Sequence, residues 1–234
     1  MDILKGFNWG WMSDDTIEGK NHKSIITQEI EDRAYEKYFE VEKGDIVLDC
    51  GASIGPFGYS IIDKKPKRII GVEPSQVEIP TLVSNMKHSN FTLAPYAISD
   101  QDGEKELLYI FQPLTQDTIS PKTLVKTIKF SSLLEQYSID KIDFFKTDCE
   151  GGEYDIFNNE NIGWLKSNTK KITGEWHLST PELKAKFRVF RDTYLKSFPN
   201  HEVNSVDGVD IKWDLWNEHF IEYYNEVLIY IDNR

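Results

Sequence analysis

The sequence predicts an α/β fold built on a doubly wound, mostly parallel β-sheet. Short apolar segments alternate with helix-like segments along most of the 234 residues, which is the pattern of successive βαβ units. A glycine-containing turn directly follows the first apolar segment, and an acidic residue directly follows the second. In doubly wound folds these positions lie at the carboxyl edge of the sheet, where ligands bind. We therefore expect one domain with a ligand site at that edge.

The first forty residues precede the predicted sheet and are expected to pack on its core. Residues 1–26 are aromatic and show no regular period, so they are predicted to be irregular. Residues 27–39 are predicted to form a helix, because apolar side chains recur at every fourth position, at Ile30, Ala34 and Tyr38. Residues 41–234 then make up the main domain, since neither a repeat nor a linker divides them.

Apolar segments bounded by turn residues predict the strands. They cover residues 46–48, 68–72, 91–93, 104–111, 142–146, 171–176, 203–206 and 226–231. A long helix is predicted at 181–198, because Thr180 is a good N-cap and Pro181 suits the first helical position. Its apolar face consists of Leu183, Phe187, Phe190, Tyr194 and Phe198.

Charge, cysteine count and the lengths of the apolar runs limit the classes of protein to which this sequence can belong. The chain carries 39 acidic residues against 27 Lys and Arg, a formal net charge of −12. This balance disfavours a protein that follows a nucleic-acid backbone, because such binding depends on clustered basic residues. Two cysteines are typical of a reducing compartment. The sequence shows neither a secretory leader nor an apolar run of the ~18 residues that a membrane span needs, so we expect a cytoplasmic protein.

The turn at residues 49–55, Asp-Cys-Gly-Ala-Ser-Ile-Gly, is the most informative stretch. Its glycines allow a sharp bend and the close approach of a ligand. Glu73 ends the second strand, where an acid can accept both hydroxyls of a ribose. A dinucleotide site would need Gly-x-Gly-x-x-Gly, and Asp49 would repel a pyrophosphate. Asp49 suits a cationic ligand such as S-adenosylmethionine, although an ordinary glycine turn is the alternative.

Three motifs resemble those of the FkbM-type S-adenosylmethionine-dependent O-methyltransferases. They are Asp49-x-Gly51-Ala52-x-x-Gly55, Glu73-Pro74, and Lys146-x-Asp148-x-Glu150-Gly151-x-Glu153. The resemblance extends over about residues 44–175. It implies a class I methyltransferase (Rossmann-like) sheet of seven strands with an antiparallel C-terminal strand. The donor would bind at the ends of the first three strands and the acceptor toward the ends of the fourth and fifth.

The resemblance also implies roles for individual residues. The methionine part of the donor would lie along the turn, and Glu73 would hold the ribose hydroxyls. Tyr96, Ala97 and Ile98 would lie along the adenine. The implied donor-binding set is Asp49, Gly51, Ala52, Ser53, Gly55, Glu73, Tyr96, Ala97, Ile98 and Asp148. Cys50, Cys149 and Gly152 depart from the commoner family residues, by small substitutions.

Three acids, Asp148, Glu150 and Glu153, follow the strand predicted at 142–146. They could remove the proton of an acceptor hydroxyl, hold a hard cation or cap the next helix. Capping is a more serious alternative for Glu150 and Glu153 than for Asp148, because a helix dipole stabilises carboxylates in the first turn of the helix. Methyl transfer needs an aligned oxygen and a base, so Asp148 and Glu150 are candidate catalytic residues.

His177 follows the strand predicted at 171–176, next to the acids if the usual strand order holds. An imidazole has a suitable pKa for accepting the proton of a hydroxyl, and His177 is the third candidate catalytic residue. The alternative is a histidine that merely precedes the cap at Thr180. Asp148, Glu150 and His177 could together hold Mg²⁺ or Mn²⁺, but their spacing is no metal signature, so no metal is predicted.

Two further features concern aromatic residues and thiols. Trp176 and the segment 213–216 could form a platform for a sugar ring, although packing is the default role of aromatic side chains. Cys50 and Cys149 end neighbouring strands, and we expect them to be buried free thiols.

The predicted function is methyl transfer from S-adenosylmethionine to a hydroxyl, with a sugar of a glycan or glycosylated metabolite as the acceptor that the resemblance implies. A methyltransferase acting on nucleic acid or another small molecule is the nearest alternative. A metal-dependent nucleotide-sugar glycosyltransferase using Asp148 and Glu150 is another, but it leaves the turn at 49–55 unexplained. A binding module that has lost its chemistry is the fourth.

Overall fold

A seven-stranded sheet forms the centre of the protein, which a computed structural model describes over residues 3–13, 16–108 and 122–234. The strands are β1 (Ile46–Cys50), β2 (Arg68–Val72), β3 (Phe91–Ala94), β4 (Ala97–Ile98), β5 (Gly103–Leu108), β6 (Lys122–Ile128), β7 (Ile142–Thr147), β8 (Thr169–His177), β9 (His201–Asn204) and β10 (Glu226–Asp232).

The order of the strands places a ligand crevice at the centre of the sheet. The main sheet runs β3-β2-β1-β7-β8-β10-β9, and β10 pairs antiparallel with both of its neighbours. The other pairs along the sheet, from β3 to β8, are parallel. Chain order reverses between β1 and β7, so the carboxyl ends of these two strands flank the switch point. The predicted doubly wound, mostly parallel sheet with an antiparallel C-terminal strand is thereby confirmed.

Eight α-helices lie within the described ranges, and none of them has both the length and the apolar character required to cross a membrane. They are α1 (Ile17–Glu31), α2 (Pro56–Ser60), α3 (Ile79–Met86), α4 (Phe130–Gln136), α5 (Glu153–Ile156), α6 (Ile162–Asn168), α7 (Pro181–Val189) and α8 (Glu218–Ile221).

Alternation along the central strands builds an apolar core on each face of the sheet. All six residues of β7 are buried, and the neighbours Phe144 and Phe145 enter different clusters because successive side chains point to opposite faces. Phe144 stacks on Phe57 from α2, with ring centroids 5.7 Å apart. Phe145 stacks on Phe130 from α4 at 5.9 Å. Helices therefore cover both faces, as parallel sheets require.

The predicted N-terminal elements were wrong in their bounds. The helix α1 begins at Ile17, because the Thr16 side chain accepts the Gly19 N–H and caps it. It ends at Glu31, and Arg33 then takes a left-handed conformation. A short 3₁₀ turn at Ala34–Glu36 replaces the rest of the predicted helix. Of the residues that suggested the helix, Ile30 is buried in α1, Ala34 is half-buried in the 3₁₀ turn and Tyr38 is exposed, so they do not form one helix face.

The helix predicted at 181–198 begins at Pro181 as expected, but its second half is not α-helical. The Thr180 side chain accepts the Leu183 N–H, which confirms the N-cap. After α7, a π-helical turn covers Phe190–Tyr194 and a 3₁₀ turn covers Leu195–Ser197. Within the π-helical turn, Phe190, Arg191 and Tyr194 are all buried.

Other strand predictions held with small shifts. The segment predicted at 203–206 is β9, which begins and ends two residues earlier. The extended segment predicted at 104–111 is seen as β5, and residues 109–111 lie outside the described ranges. β5 pairs with β6 in a small second sheet of order β4-β6-β5 that was not predicted as a sheet. No strand was predicted at 122–128, so the antiparallel pairing of β5 with β6 was missed.

Trp176 is a core residue, so the packing alternative holds for it and the sugar platform that the sequence left open does not include it. Its exposed fraction is 0%, and its ring lies 5.1 Å from that of Phe190 and 5.3 Å from that of Phe157. We expect Trp176→Ala to lower the free energy of unfolding by about 3–5 kcal/mol, measured by urea denaturation. The matched control is Trp213→Ala: Trp213 is 82% exposed, and its loss should change stability by less than about 0.5 kcal/mol. Equal losses in both variants would contradict this assignment.

Candidate functional site

A cavity of about 1190 Å³ opens at the carboxyl ends of β1, β2, β7 and β8. Its walls include the turn after β1, the end of β2, the loop after β7 and the end of β8. The helix α1 and Tyr35 line it from the N-terminal segment. A cavity at this place and of this size fits a ligand as large as a nucleoside-containing cofactor.

The turn after β1 wraps around the end of β2. The N–H groups of Gly51 and Ala52 both donate to the Val72 carbonyl, at 3.0 Å. Gly51 has a φ of +78° and Ser53 a φ of +47°, which allows the chain to reverse within three residues. Of the predicted donor residues in this turn, Gly51, Ala52 and Ser53 line the cavity, whereas Gly55 caps α2 behind it.

Glu73 is held at the end of β2 by backbone groups. Its Oε2 accepts the Ser53 N–H and its Oε1 the Ser75 N–H, both at 2.8 Å. Burial, together with the charge of Glu78, raises the pKa of Glu73 to about 8. A carboxylate has about four lone-pair sites, so Glu73 keeps acceptor capacity toward the cavity that it lines.

Asp49 lies behind the cavity wall rather than in it. Its Oδ1 is 3.3 Å from the Lys146 ammonium and has no hydrogen-bond partner. Burial raises the pKa of the Asp49 carboxyl, and Lys146 opposes this shift. The predicted direct contact of Asp49 with the donor does not correspond to the cavity that the structure forms, since Asp49 is not among its lining residues.

Lys146 is a buried charge that ties the turn to the acidic loop. Its Nζ donates to the Gly51 carbonyl at 2.7 Å and lies 3.5 Å from Asp148 Oδ2. Burial opposes the charge, but Asp49 and Asp148 more than offset this and raise the pKa of Lys146. The sequence signal was a lysine at the end of the buried strand 142–146, and only the three-dimensional pairing gives it a role.

Asp148 faces the cavity with its side chain 26% exposed. Tyr35, from the N-terminal segment, donates its hydroxyl to Asp148 Oδ2 at 3.0 Å and lies 3.3 Å from Glu175 Oε1. Burial opposes ionisation of Asp148, but the charges of Lys146 and His177 hold its pKa below the usual range. Burial and the charge of Asp148 raise the pKa of Glu175 well above its usual range.

His177 lies beside these acids, as the strand order predicted. Its Nδ1 is 3.1 Å from Glu153 Oε1, and its Nε2 is 3.8 Å from Asp148 Oδ1 and 3.5 Å from Glu150 Oε2. Burial favours the neutral ring, but the hydrogen bond with Glu153 and the surrounding carboxylates raise the pKa of His177 to about 10. The near-neutral pKa expected from the sequence is therefore not that of the ring in this environment.

The loop after β7 presents Glu150 to solvent and Glu153 to the interior. Glu150 has a φ of +53° and a side chain that is 53% exposed. Glu153 accepts the N–H groups of Cys149 and Gly151 at 2.8 and 2.9 Å. Glu153 lies in the first turn of α5, but its carboxylate holds the preceding loop and contacts His177, and it makes no capping hydrogen bond to the helix.

A possible metal-ligand group differs from the one that the sequence suggested. Among the described residues, Asp148, Glu175 and His177 each offer one ligand atom, and these atoms lie within 4.8 Å of one another. Glu175 replaces Glu150 of the suggested set. Lys146 and Tyr35 already hold Asp148, so the carboxylate is balanced by groups of the chain itself.

The remaining predicted residues lie on the other side of the cavity. Tyr96, Ala97 and Ile98 line it, whereas the segment 213–216 does not. Both cysteines are free thiols: Cys50 is buried and Cys149 lies 3.4 Å from Thr147 Oγ1 through its sulfur. Burial raises the pKa of both thiols, so neither is reactive by virtue of a stabilised thiolate.

Solved methyltransferase structures resemble the fold at low sequence identity. A Klebsiella pneumoniae protein to which O-methyltransferase activity is ascribed has a TM-score of 0.50 and 10% identity, with 100% of this chain and 91% of that chain covered. Aeropyrum pernix fibrillarin, in complex with S-adenosyl-L-methionine, has a TM-score of 0.48 and 12% identity, with 81% of this chain and 67% of that chain covered. A Clostridium thermocellum protein to which rRNA methylation is ascribed has a TM-score of 0.48 and 11% identity, with 92% of this chain and 95% of that chain covered.

No curated protein matches the chain in sequence. A protein family does match: residues 49–202, from the turn after β1 to the start of β9, fit the family described as "Methyltransferase FkbM domain". The match includes the turn, Glu73, the acidic loop and His177. It covers more than half of the chain, and the protein therefore belongs to the FkbM methyltransferase family.

Proposed function

We propose that the protein transfers a methyl group from S-adenosylmethionine to a hydroxyl of a sugar, in a glycan or a glycosylated metabolite. The observation that supports this most directly is a single cavity shared by two sets of residues. One set, Gly51 to Ser53 with Glu73, suits a nucleoside-containing donor, and the other, Asp148 with His177, suits an acceptor hydroxyl.

The donor side fits an adenosyl group with a charged methionine. The backbone of Gly51 and Ala52 lies open to the cavity, and a Cβ at Gly51 would overlap the carbonyl oxygen of Asp148. Glu73 would hold the ribose hydroxyls with its remaining lone pairs, and Tyr96 to Ile98 would cover the adenine. When bound, the donor supplies an activated methyl group on a positively charged sulfur. Acids around the cavity favour that charge.

The acceptor side offers a base whose free nitrogen faces the cavity. Since Nδ1 of His177 is hydrogen-bonded to Glu153, only Nε2 is available to an acceptor. Asp148 and Glu150 lie 3.8 and 3.5 Å from Nε2, too far for a short hydrogen bond. Positive charge brought into the cavity favours loss of the His177 proton, because like charges repel. Nε2 can then take the proton of an acceptor hydroxyl. Asp148 and Glu150 stabilise the imidazolium that forms.

The charges of the cavity support an uncharged or cationic acceptor over a phosphate-bearing one. Glu29 from α1, Glu175 from β8 and Glu226 from β10 all line it. Burial, and then the charge of Asp148, raise the pKa of Glu29 to about 7. The raised pKa values of Glu29 and Glu175 indicate that the cavity disfavours further negative charge, which the phosphates of a nucleic acid would bring into it. Membership of a methyltransferase family favours methyl transfer over glycosyl transfer.

We further propose that residues 1–40 are an N-terminal segment packed on a single methyltransferase domain, 41–234. Leu4, Phe7 and Ile30 are buried in one cluster with Ile54 of the turn. Tyr35 reaches Asp148 from the same segment. The two free thiols support the expected location in the cytoplasm.

Calorimetry and product analysis test the proposal together. We expect S-adenosylhomocysteine to bind the purified protein with one site per chain. Incubation with isotope-labelled donor and panels of sugars, glycans and RNA should yield a methylated sugar, identified by mass spectrometry. Absence of cofactor binding would contradict the donor assignment, and label found only in RNA would replace the acceptor assignment by the nucleic-acid alternative.

A further inference from the structure

We propose that Glu153 is a positioning residue that fixes the tautomer and orientation of His177, so that Nε2 of the ring points into the cavity. This rests on the proposed function only for the use to which Nε2 is put. The arrangement itself stands on contacts among Glu153, His177 and the loop between them.

Both oxygens of Glu153 are used inside the protein. The residue is 0% exposed and does not line the cavity. Oε1 accepts the Cys149 N–H at 2.8 Å and lies 3.1 Å from His177 Nδ1, while Oε2 accepts the Gly151 N–H at 2.9 Å. An ionised carboxylate only accepts hydrogen bonds, so Nδ1 must carry the proton in this contact. The neutral ring then has its lone pair on Nε2.

The same carboxylate fixes the residues that face Nε2. Asp148 and Glu150 belong to the loop whose N–H groups Glu153 accepts, so one buried side chain sets the ring and its partners relative to each other. The backbone carbonyl of His177 also accepts the Tyr154 hydroxyl at 2.7 Å, from the residue after Glu153. The short helix α5 is therefore attached to the end of β8 at two points.

This arrangement differs from simple capping in what it predicts. A cap stabilises the loop and leaves the ring chemistry unchanged. A carboxylate on Nδ1 holds the ring in one tautomer and stabilises its protonated form. Asp148 and Glu150 from the loop and Glu175 from the same strand also act on the ring, so the test must separate the contribution of Glu153 from theirs.

The test is an NMR titration of the His177 ring in the full-length protein without ligands, comparing wild type with Glu153→Gln. The amide keeps the size of the side chain but not its charge. We expect the pKa of His177 to fall by at least one unit, a tenfold loss of proton affinity, and the downfield Nδ1 proton to move. Glu182→Gln, an exposed carboxylate at the start of α7, is the matched control and should leave both signals unchanged.

Unchanged His177 signals in a folded Glu153→Gln protein would overturn the inference. If that variant does not fold, the tautomer of the wild-type ring is the test. Ring nitrogen chemical shifts measured above the pKa of His177 that place the proton on Nε2 would also overturn the inference. Glu153→Asp, which keeps the charge on a shorter side chain, should restore part of the wild-type pKa.

Failure of the proposed function would look different. In that case the titration would still respond to Glu153→Gln, while the wild-type protein would bind no S-adenosylhomocysteine and methylate no sugar. If the function holds and the inference holds, Glu153→Gln should retain cofactor affinity within about threefold and should shift the pH profile of turnover with the ring pKa.

Discussion

His177→Gln should lower the rate of methyl transfer by about 10²–10⁴-fold, the range that a positioned base contributes. Glutamine is close in size to histidine and can still donate to Glu153, so we expect the fold and the loop after β7 to persist. It cannot accept a proton from a hydroxyl at neutral pH. The measurement is the single-turnover rate with the sugar acceptor found by product analysis, together with calorimetry for S-adenosylhomocysteine.

Cofactor affinity is the internal control, since Glu73 and the turn after β1 are untouched and should bind within about threefold of wild type. His219→Gln, on α8 and outside the cavity lining, is the matched histidine control and should keep the wild-type rate. A full rate in His177→Gln would remove the ring from the mechanism and leave Asp148 as the base. A wild-type protein that binds cofactor but methylates nothing would instead favour the binding-module alternative.

Gly51→Ala should be the most damaging small substitution in the turn. The residue has a φ of +78°, and an added Cβ would overlap the backbone carbonyl oxygen of Asp148. Backbone, unlike a side-chain end, cannot swing aside, so the turn or the loop after β7 must shift. We expect a loss of about 4–5 kcal/mol in the free energy of unfolding, measured by urea denaturation, and loss of cofactor binding in whatever protein remains folded.

Gly163→Ala provides the comparison, because nothing lies within 4 Å of an added Cβ at this position of α6. Alanine in a helix is favoured over glycine by about 0.5–1 kcal/mol, so this variant should be as stable as wild type or slightly more so. Wild-type stability in Gly51→Ala would show that the strand ends are not packed as closely as described.

The sequence predicted the central sheet well because its inner strands, β1, β2, β7, β8 and β10, are largely buried on both faces. Such strands appear as unbroken apolar runs bounded by turns, and their carboxyl ends fix where polar residues gather. Glu73, Asp148 and His177 were found in this way. The small sheet of β4, β5 and β6 was not, since β4 has only two residues and no strand was predicted at 122–128.

The missed site residues share one property: their role depends on contacts across the fold. Lys146 resembles any interruption of an apolar strand until Asp49 and Asp148 are seen on either side of it. Tyr35 lies within the helix predicted at 27–39, and no motif around it indicated a role in the site. Asp49 was placed in the donor pocket from its motif, and the structure shows that it pairs with Lys146 and does not line the cavity.

The phenol of Tyr35 joins Asp148 from a stretch that precedes residue 49, where the family match begins. A gene fragment trimmed to residues 49–202 would encode the glycine bend and the acids, yet it would lack this phenol, the α1 wall and strand β10. Boundary choice for recombinant expression thus determines whether the reaction chamber is whole. A comparison of family members restricted to the shared stretch would leave out the walls that α1, Tyr35 and β10 contribute.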